Sequence, residues 1–177
     1  MRPAAKKDVA RVFFALWPDA EVRDALSALA HGVQAECGGR ATRADKIHLT
    51  LFFVGQVERN RLPGLHAAAS TVRSTAFELV VDHLGYFRRA RIAWAGAACP
   101  PALATLVAAL TGKLAAEGIA GEDRPFVPHI TLAREALRKP TNTSIEPVAW
   151  HARDFVLVES QRGSDGAYQI LERWSLG

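Results

Sequence analysis

Only two cysteines, Cys37 and Cys99, occur among 177 residues, so no disulfide framework can carry this fold. No secretory signal is legible either. The apolar run VFFALW near the N-terminus is too short, and Pro18-Asp19 ends it without a small-residue cleavage site. The two thiols are therefore expected to be reduced, in a cytoplasmic protein. No apolar run is long enough to cross a bilayer; even the stretch 102–118 is interrupted by Lys113. There is no His-x-His and no cluster of Asp and Glu that would mark a metal site. Neither Ser27 nor Ser160 stands in a nucleophile-elbow context, which argues against a serine hydrolase.

What is present is the balance of a globular protein: 49% apolar and 23% charged residues. The net charge is +4, and 17 of the 22 basic residues are Arg. A guanidinium offers a rigid fork of donors suited to phosphate, although an Arg-rich composition alone identifies no partner.

Periodicity gives a strand at about 9–17 and a helix at about 19–36, with Asp19 as N-cap and Val22, Leu26, Leu29 and Val33 on one stripe. A strand follows at 46–54, then a helix at 58–74 that Pro63 either enters or kinks. The runs AFELVVDHLGYF and ARIAWAGA read as strands joined by a turn holding Arg88, Arg89 and Arg91. Such a turn can serve an RNA backbone, but most basic turns are simply solvated. Pro-Pro opens a helix at about 100–117, a strand covers 126–134, and ARDFVLVES and AYQILERWSL close the chain as strands.

The order strand, helix, strand thus occurs twice, and each copy ends in His-x-Thr-Leu: IHLTL at 47–51 and PHITL at 128–132. Side chains alternate along a strand, so His48 and Thr50 share one face, as do His129 and Thr131. Six His and nine Thr predict roughly 0.3 His-x-Thr triplets by chance. Two, each after a helix, call for a common cause. If a pseudo-two-fold axis relates the copies, both histidines and both threonines converge on a central cleft.

On these motifs the chain resembles the 2H phosphoesterases, and within them the RNA 2′,3′-cyclic phosphodiesterases, also known as bacterial 2′-5′ RNA ligases. RVFFALWPD, IHLTLFFVGQV, LGYFRRARIAWAG, RPFVPHITLAR and FVLVESQRGSDGAYQILERW carry the resemblance along nearly the whole chain. It departs at Ala41, where many members have Trp, and at Phe52, where a polar or basic residue is common. The resemblance implies an α+β fold, bilobal, with duplicated strand-helix-strand units and antiparallel sheets around a central cleft. Residues 1–177 would form one domain of two pseudo-symmetric lobes.

Opening a cyclic phosphodiester with water needs a base on the attacking side and an acid on the leaving side, roles that histidine fills near neutral pH. The threonine hydroxyls would donate to the non-bridging oxygens. This scheme requires no metal or other cofactor. Residue types alone allow either direction. The resemblance implies that His48 is the proton donor to the leaving 3′ oxygen and His129 the acceptor from water, leaving a 2′-phosphate. It also implies phosphate binding by Arg134, which strict alternation would turn away from the cleft. Phe52 has the parity of His48 and Thr50, so it either stacks on a base or packs in the core. His31, His66, His83 and His151 have no motif around them. The expected partner is an RNA with a 2′,3′-cyclic phosphate end or a small cyclic nucleotide, met by a monomer with no membrane partner. Reversible 2′-5′ RNA ligation or hydrolysis of another cyclic phosphodiester on the same site, a non-catalytic RNA-end binding module and a metalloenzyme using both histidines as ligands are the competing expectations.

Overall fold

The computed structural model describes residues 8–161 and 166–177. Part of the closing motif, 162–165, lies outside the described residues, as do 1–7. The elements are β1 (Val9–Leu16), α1 (Ala20–Cys37), β2 (Arg40–Ala41), β3 (Leu49–Glu58), α2 (Leu62–Ser70), β4 (Phe77–Phe87), β5 (Ile92–Ala97), α3 (Pro101–Ala116), β6 (His129–Arg134), β7 (Ser144–Ala152), β8 (Asp154–Ser160) and β9 (Tyr168–Ser175).

Strand order is β7-β4-β5-β6-β3-β1-β8-β9, with short β2 alongside β6 and every pairing antiparallel. The middle of this sequence is a mirror of itself. β1 flanks β3 as β5 flanks β6, and β8 and β4 lie one strand further out. The inner strands β3 and β6 join through a single pair, Leu49 opposite Ile130, and so form one continuous path rather than separate sheets. The ladders also align the two copies: Ala15 faces Thr50 as Trp94 faces Thr131, so Ala15 and Trp94 hold equivalent places.

Helix α1 begins where expected, because the Asp19 carboxylate accepts from the Val22 N–H at 3.0 Å. Val22, Leu26, Ala30, Val33 and Cys37 form its buried stripe, and Gly38 ends it. In α3 the stripe is Leu103, Leu106, Leu110 and Leu114. The helices cross over: α1 packs on β6 and α3 on β3, so each half supplies the cover of the other's inner strand. Pro63 enters α2 in its first turn rather than kinking it. The sequence reading missed β7, whose Pro147 discourages a strand assignment. β7 lies at the edge of the sheet, where a residue without an N–H is tolerated. Among the described residues no helix is long and apolar enough to cross a membrane.

Candidate active site

Antiparallel pairing of Leu49 with Ile130 sets Thr50 next to His129 and His48 next to Thr131. All four side chains line one central cleft of about 740 Å³, together with Arg134. The apolar partners Leu49, Leu51, Ile130 and Leu132 point the other way, into the core.

Each inner strand carries a β-bulge at the same place. Phe14 faces Phe52 and Ala15 faces Thr50, which leaves Leu51 unpaired; Ala93 faces Ala133 and Trp94 faces Thr131, which leaves Leu132 unpaired. A bulge shifts the alternation by one residue. Arg134 is therefore returned to the cleft face, as its proposed role needs. The same shift corrects the expectation for Phe52. It packs in the core and borders only the apolar extension of the cleft, whereas Phe53 lines the cleft itself and is 43% exposed. Phe53 and Arg134 both stand five residues after a motif histidine and occupy equivalent positions.

The histidines are held alike. Nδ1–H of His48 donates to the Lys46 carbonyl at 2.7 Å, and Nδ1–H of His129 to the Val127 carbonyl at 2.8 Å. A carbonyl can only accept, so in each ring the proton of the neutral form is fixed on Nδ1 and Nε2 is left as the reactive nitrogen. At His48 that nitrogen accepts from the Thr50 hydroxyl at 3.1 Å.

Their surroundings differ. Trp17 stacks on His48 at 5.5 Å between centroids and 10° between planes, Phe13 lies at 4.9 Å, and Tyr168 meets it edge-on at 5.5 Å. This burial pushes the His48 pKa down to about 4; the Lys46 carbonyl opposes the shift, while Arg134 and His129 add smaller repulsions. His129 has the edges of Phe87 at 5.1 Å and Trp94 at 6.1 Å. Trp94 fits only because residue 85 is glycine, where a Cβ would stand 2.1 Å from the indole. Sequence reasoning missed these aromatic neighbours, since they come from strands remote in the chain.

The cleft has two unlike extensions. On the Thr50–His129 side an apolar pocket of about 540 Å³ includes Phe53, Phe126 and Val127. On the His48–Thr131 side a basic pocket of about 400 Å³ includes Arg40, Arg43, Lys46 and Arg134. Among the described residues no three His, Cys, Asp or Glu side chains are grouped as metal ligands. His31, His66, His83 and His151 lie outside the lining of the cleft.

A model of the LigT-like phosphoesterases matches residues 16–94. The chain is 34% identical over 173 residues to the RNA 2′,3′-cyclic phosphodiesterase of Escherichia coli strain K12, covering 94% of this chain and 96% of that one. It is 32% identical over 182 residues to the protein of the same name from Thermus thermophilus, covering 94% and 90%. The crystal structure of E. coli LigT complexed with 3′-AMP superposes with a TM-score of 0.85 at 32% identity, covering 95% of this chain and 98% of that one.

Proposed function

The chain belongs to the LigT-like phosphoesterase family, and from that premise we propose that it hydrolyses RNA 2′,3′-cyclic phosphate ends to 2′-phosphate ends. The observation that carries the reading is the pair of histidines, one from each inner strand, each held at Nδ1 by a backbone carbonyl in one cleft, with only the Thr50 hydroxyl on Nε2 of His48.

In this scheme His129 Nε2 takes a proton from water as the water oxygen attacks phosphorus. The bond from phosphorus to O3′ breaks, and His48 Nε2 gives its proton to the departing oxygen. One proton enters the pair and one leaves, so a single proton on the two rings is the competent state. Thr50 and Thr131 donate to the non-bridging oxygens, and Arg134 faces the charge that develops there. Phe53, rather than Phe52, offers a face to a base. The 177 residues act as one domain of two pseudo-symmetric lobes; the crossed helices support this, since each inner strand is covered from the other half. The free thiols of buried Cys37 and exposed Cys99 suit the reducing cytoplasm.

In the free protein His48 is neutral at pH 7, because burial holds it near 4. An anionic phosphate beside Nε2 favours the protonated ring, which is how a depressed histidine becomes a donor. The expected pH dependence of kcat/KM follows. The limb of kcat/KM that reports the His48 ring is therefore expected near pH 4, and His48→Asn is expected to remove it. A profile with no ionisation near pH 4, or one that His48→Asn leaves in place, would contradict this.

The activity is tested by incubating chelator-treated protein with an RNA ending in a 2′,3′-cyclic phosphate and locating the product phosphate by mass and phosphatase sensitivity. A 2′-phosphate is expected. A 3′-phosphate reverses the two histidine roles, and binding without any product replaces the enzyme with a binding module.

A further inference from the structure

Fifteen arginines lie within the described residues. Six are ion-paired to carboxylates, such as Arg59 to Glu159 and Arg40 to Glu135. Four donate to backbone carbonyls, such as Arg138 to that of Glu36. The other five are Arg11, Arg88, Arg89, Arg134 and Arg153, and among the described residues none has an ion pair or a side-chain hydrogen bond. All but Arg153 line the central cleft. Ten of the fifteen described arginines are thus engaged by the protein itself, and four of the other five are gathered where a substrate would lie.

Arg134 belongs to the reacting phosphate. Arg11 lies over the Phe53 ring at 5.2 Å. Arg88 and Arg89 project from the turn between β4 and β5, and that turn is fixed. Arg91 adopts φ 54°, its guanidinium donates to the Glu135 carbonyl at 3.0 Å, and its carbonyl accepts from the Ala136 N–H at 2.9 Å. The turn is thereby tied to the two residues that follow Arg134. Arg91 is structural, and Arg88 and Arg89 are carried beside the cleft with free forks. A cyclic mononucleotide has one phosphate, already met by Arg134 and the two threonines. A second anion is needed to engage the turn.

Resting on the proposed hydrolysis, we infer that Arg88 and Arg89 bind the phosphodiester preceding the cyclic end, so that an RNA chain is preferred over a free cyclic mononucleotide. Arginine forks bind a backbone phosphate whatever the base, so the preference is for chain rather than sequence.

The test compares kcat/KM for 2′,3′-cyclic AMP and for an adenosine dinucleotide with a 2′,3′-cyclic phosphate end, using wild type and the double variant Arg88→Ala, Arg89→Ala. Wild type is expected to favour the dinucleotide by about tenfold or more, and the variant to lose most of that ratio. The slope of log kcat/KM for the dinucleotide against log salt should also become shallower by about 0.7 for each phosphate contact removed. Both residues are exposed, so an unchanged melting temperature is expected to accompany the loss. No wild-type preference, or equal losses on both substrates, overturns the inference. If wild type turns over neither, the hydrolytic reading fails. Dinucleotide binding then decides the inference: equal Kd for wild type and variant overturns it, and weaker binding by the variant supports it.

Discussion

Replacing His129 with alanine is expected to lower kcat on a cyclic-phosphate RNA by about 10²–10⁴, and replacing His48 to do the same, because in the proposed scheme each substitution removes one of the two proton transfers. The pair acts as a unit, so the double variant should be little worse than either single one. The variants differ in stability. His129 meets two rings, those of Phe87 and Trp94. His48 packs against three, Phe13, Trp17 and Tyr168, so its alanine variant gives up more ring contact. His48→Asn is the better control, since its amide can still donate to the Lys46 carbonyl that holds Nδ1. Turnover and thermal unfolding measured on the same preparations separate chemistry from folding. A folded single variant keeping a tenth or more of wild-type kcat would exclude its histidine from the proton transfers.

Gly39→Ala is expected to cost about 3 kcal/mol or more, lowering the melting temperature by roughly 6–12 °C. Two causes add. Gly39 has φ +81°, a region that opposes any side chain by about 1–2 kcal/mol. A Cβ there would also stand 2.3 Å from the Arg134 carbonyl oxygen and 2.8 Å from the Ala136 nitrogen. Both are backbone atoms, so no rotamer change relieves the contact. The strand end that carries Arg134 must move, and with it the pairing of Arg40 with Arg134. Activity should therefore fall beyond the loss of folded protein. Gly32→Ala tests the opposite sign. It lies within α1 with nothing within 4 Å of the added atom, and should stabilise by about 1 kcal/mol. Equal melting temperatures for Gly39→Ala and wild type would refute the steric account.

The histidine pair was legible in the sequence because it rests on a local period of two and a repeat, both visible without a structure. Helix α1 was legible because Asp19 and its apolar stripe are local signals as well. The bulges were not, since an unpaired residue is defined only against its partner strand, and Leu51 and Leu132 look like ordinary alternating core positions. One trace was available. Arg134 required a shift of face in the second copy, and the same shift in the first would have selected Phe53 over Phe52. The aromatic box of His48 was out of reach, because Phe13, Trp17 and Tyr168 meet it only after β1, β3, β8 and β9 align. β7 was hidden by Pro147, whose edge location no local pattern reveals.

The unlike side chains carried by the matched bulges give the cleft a handedness of use. A backbone symmetric about its midpoint would accept a cyclic phosphate in either of two poses related by half a turn, each presenting a different sugar oxygen to the same histidine. An unmarked cleft of this kind would release a mixture of isomeric products. Placing a flat hydrocarbon ring at position 53 and a cation at its mirror position 134 makes the poses unequal. A difference of about 1.4 kcal/mol between them already biases the products tenfold. Regiochemistry can thus be set by what hangs from two equivalent points of a duplicated scaffold, while the scaffold itself remains free of any preference.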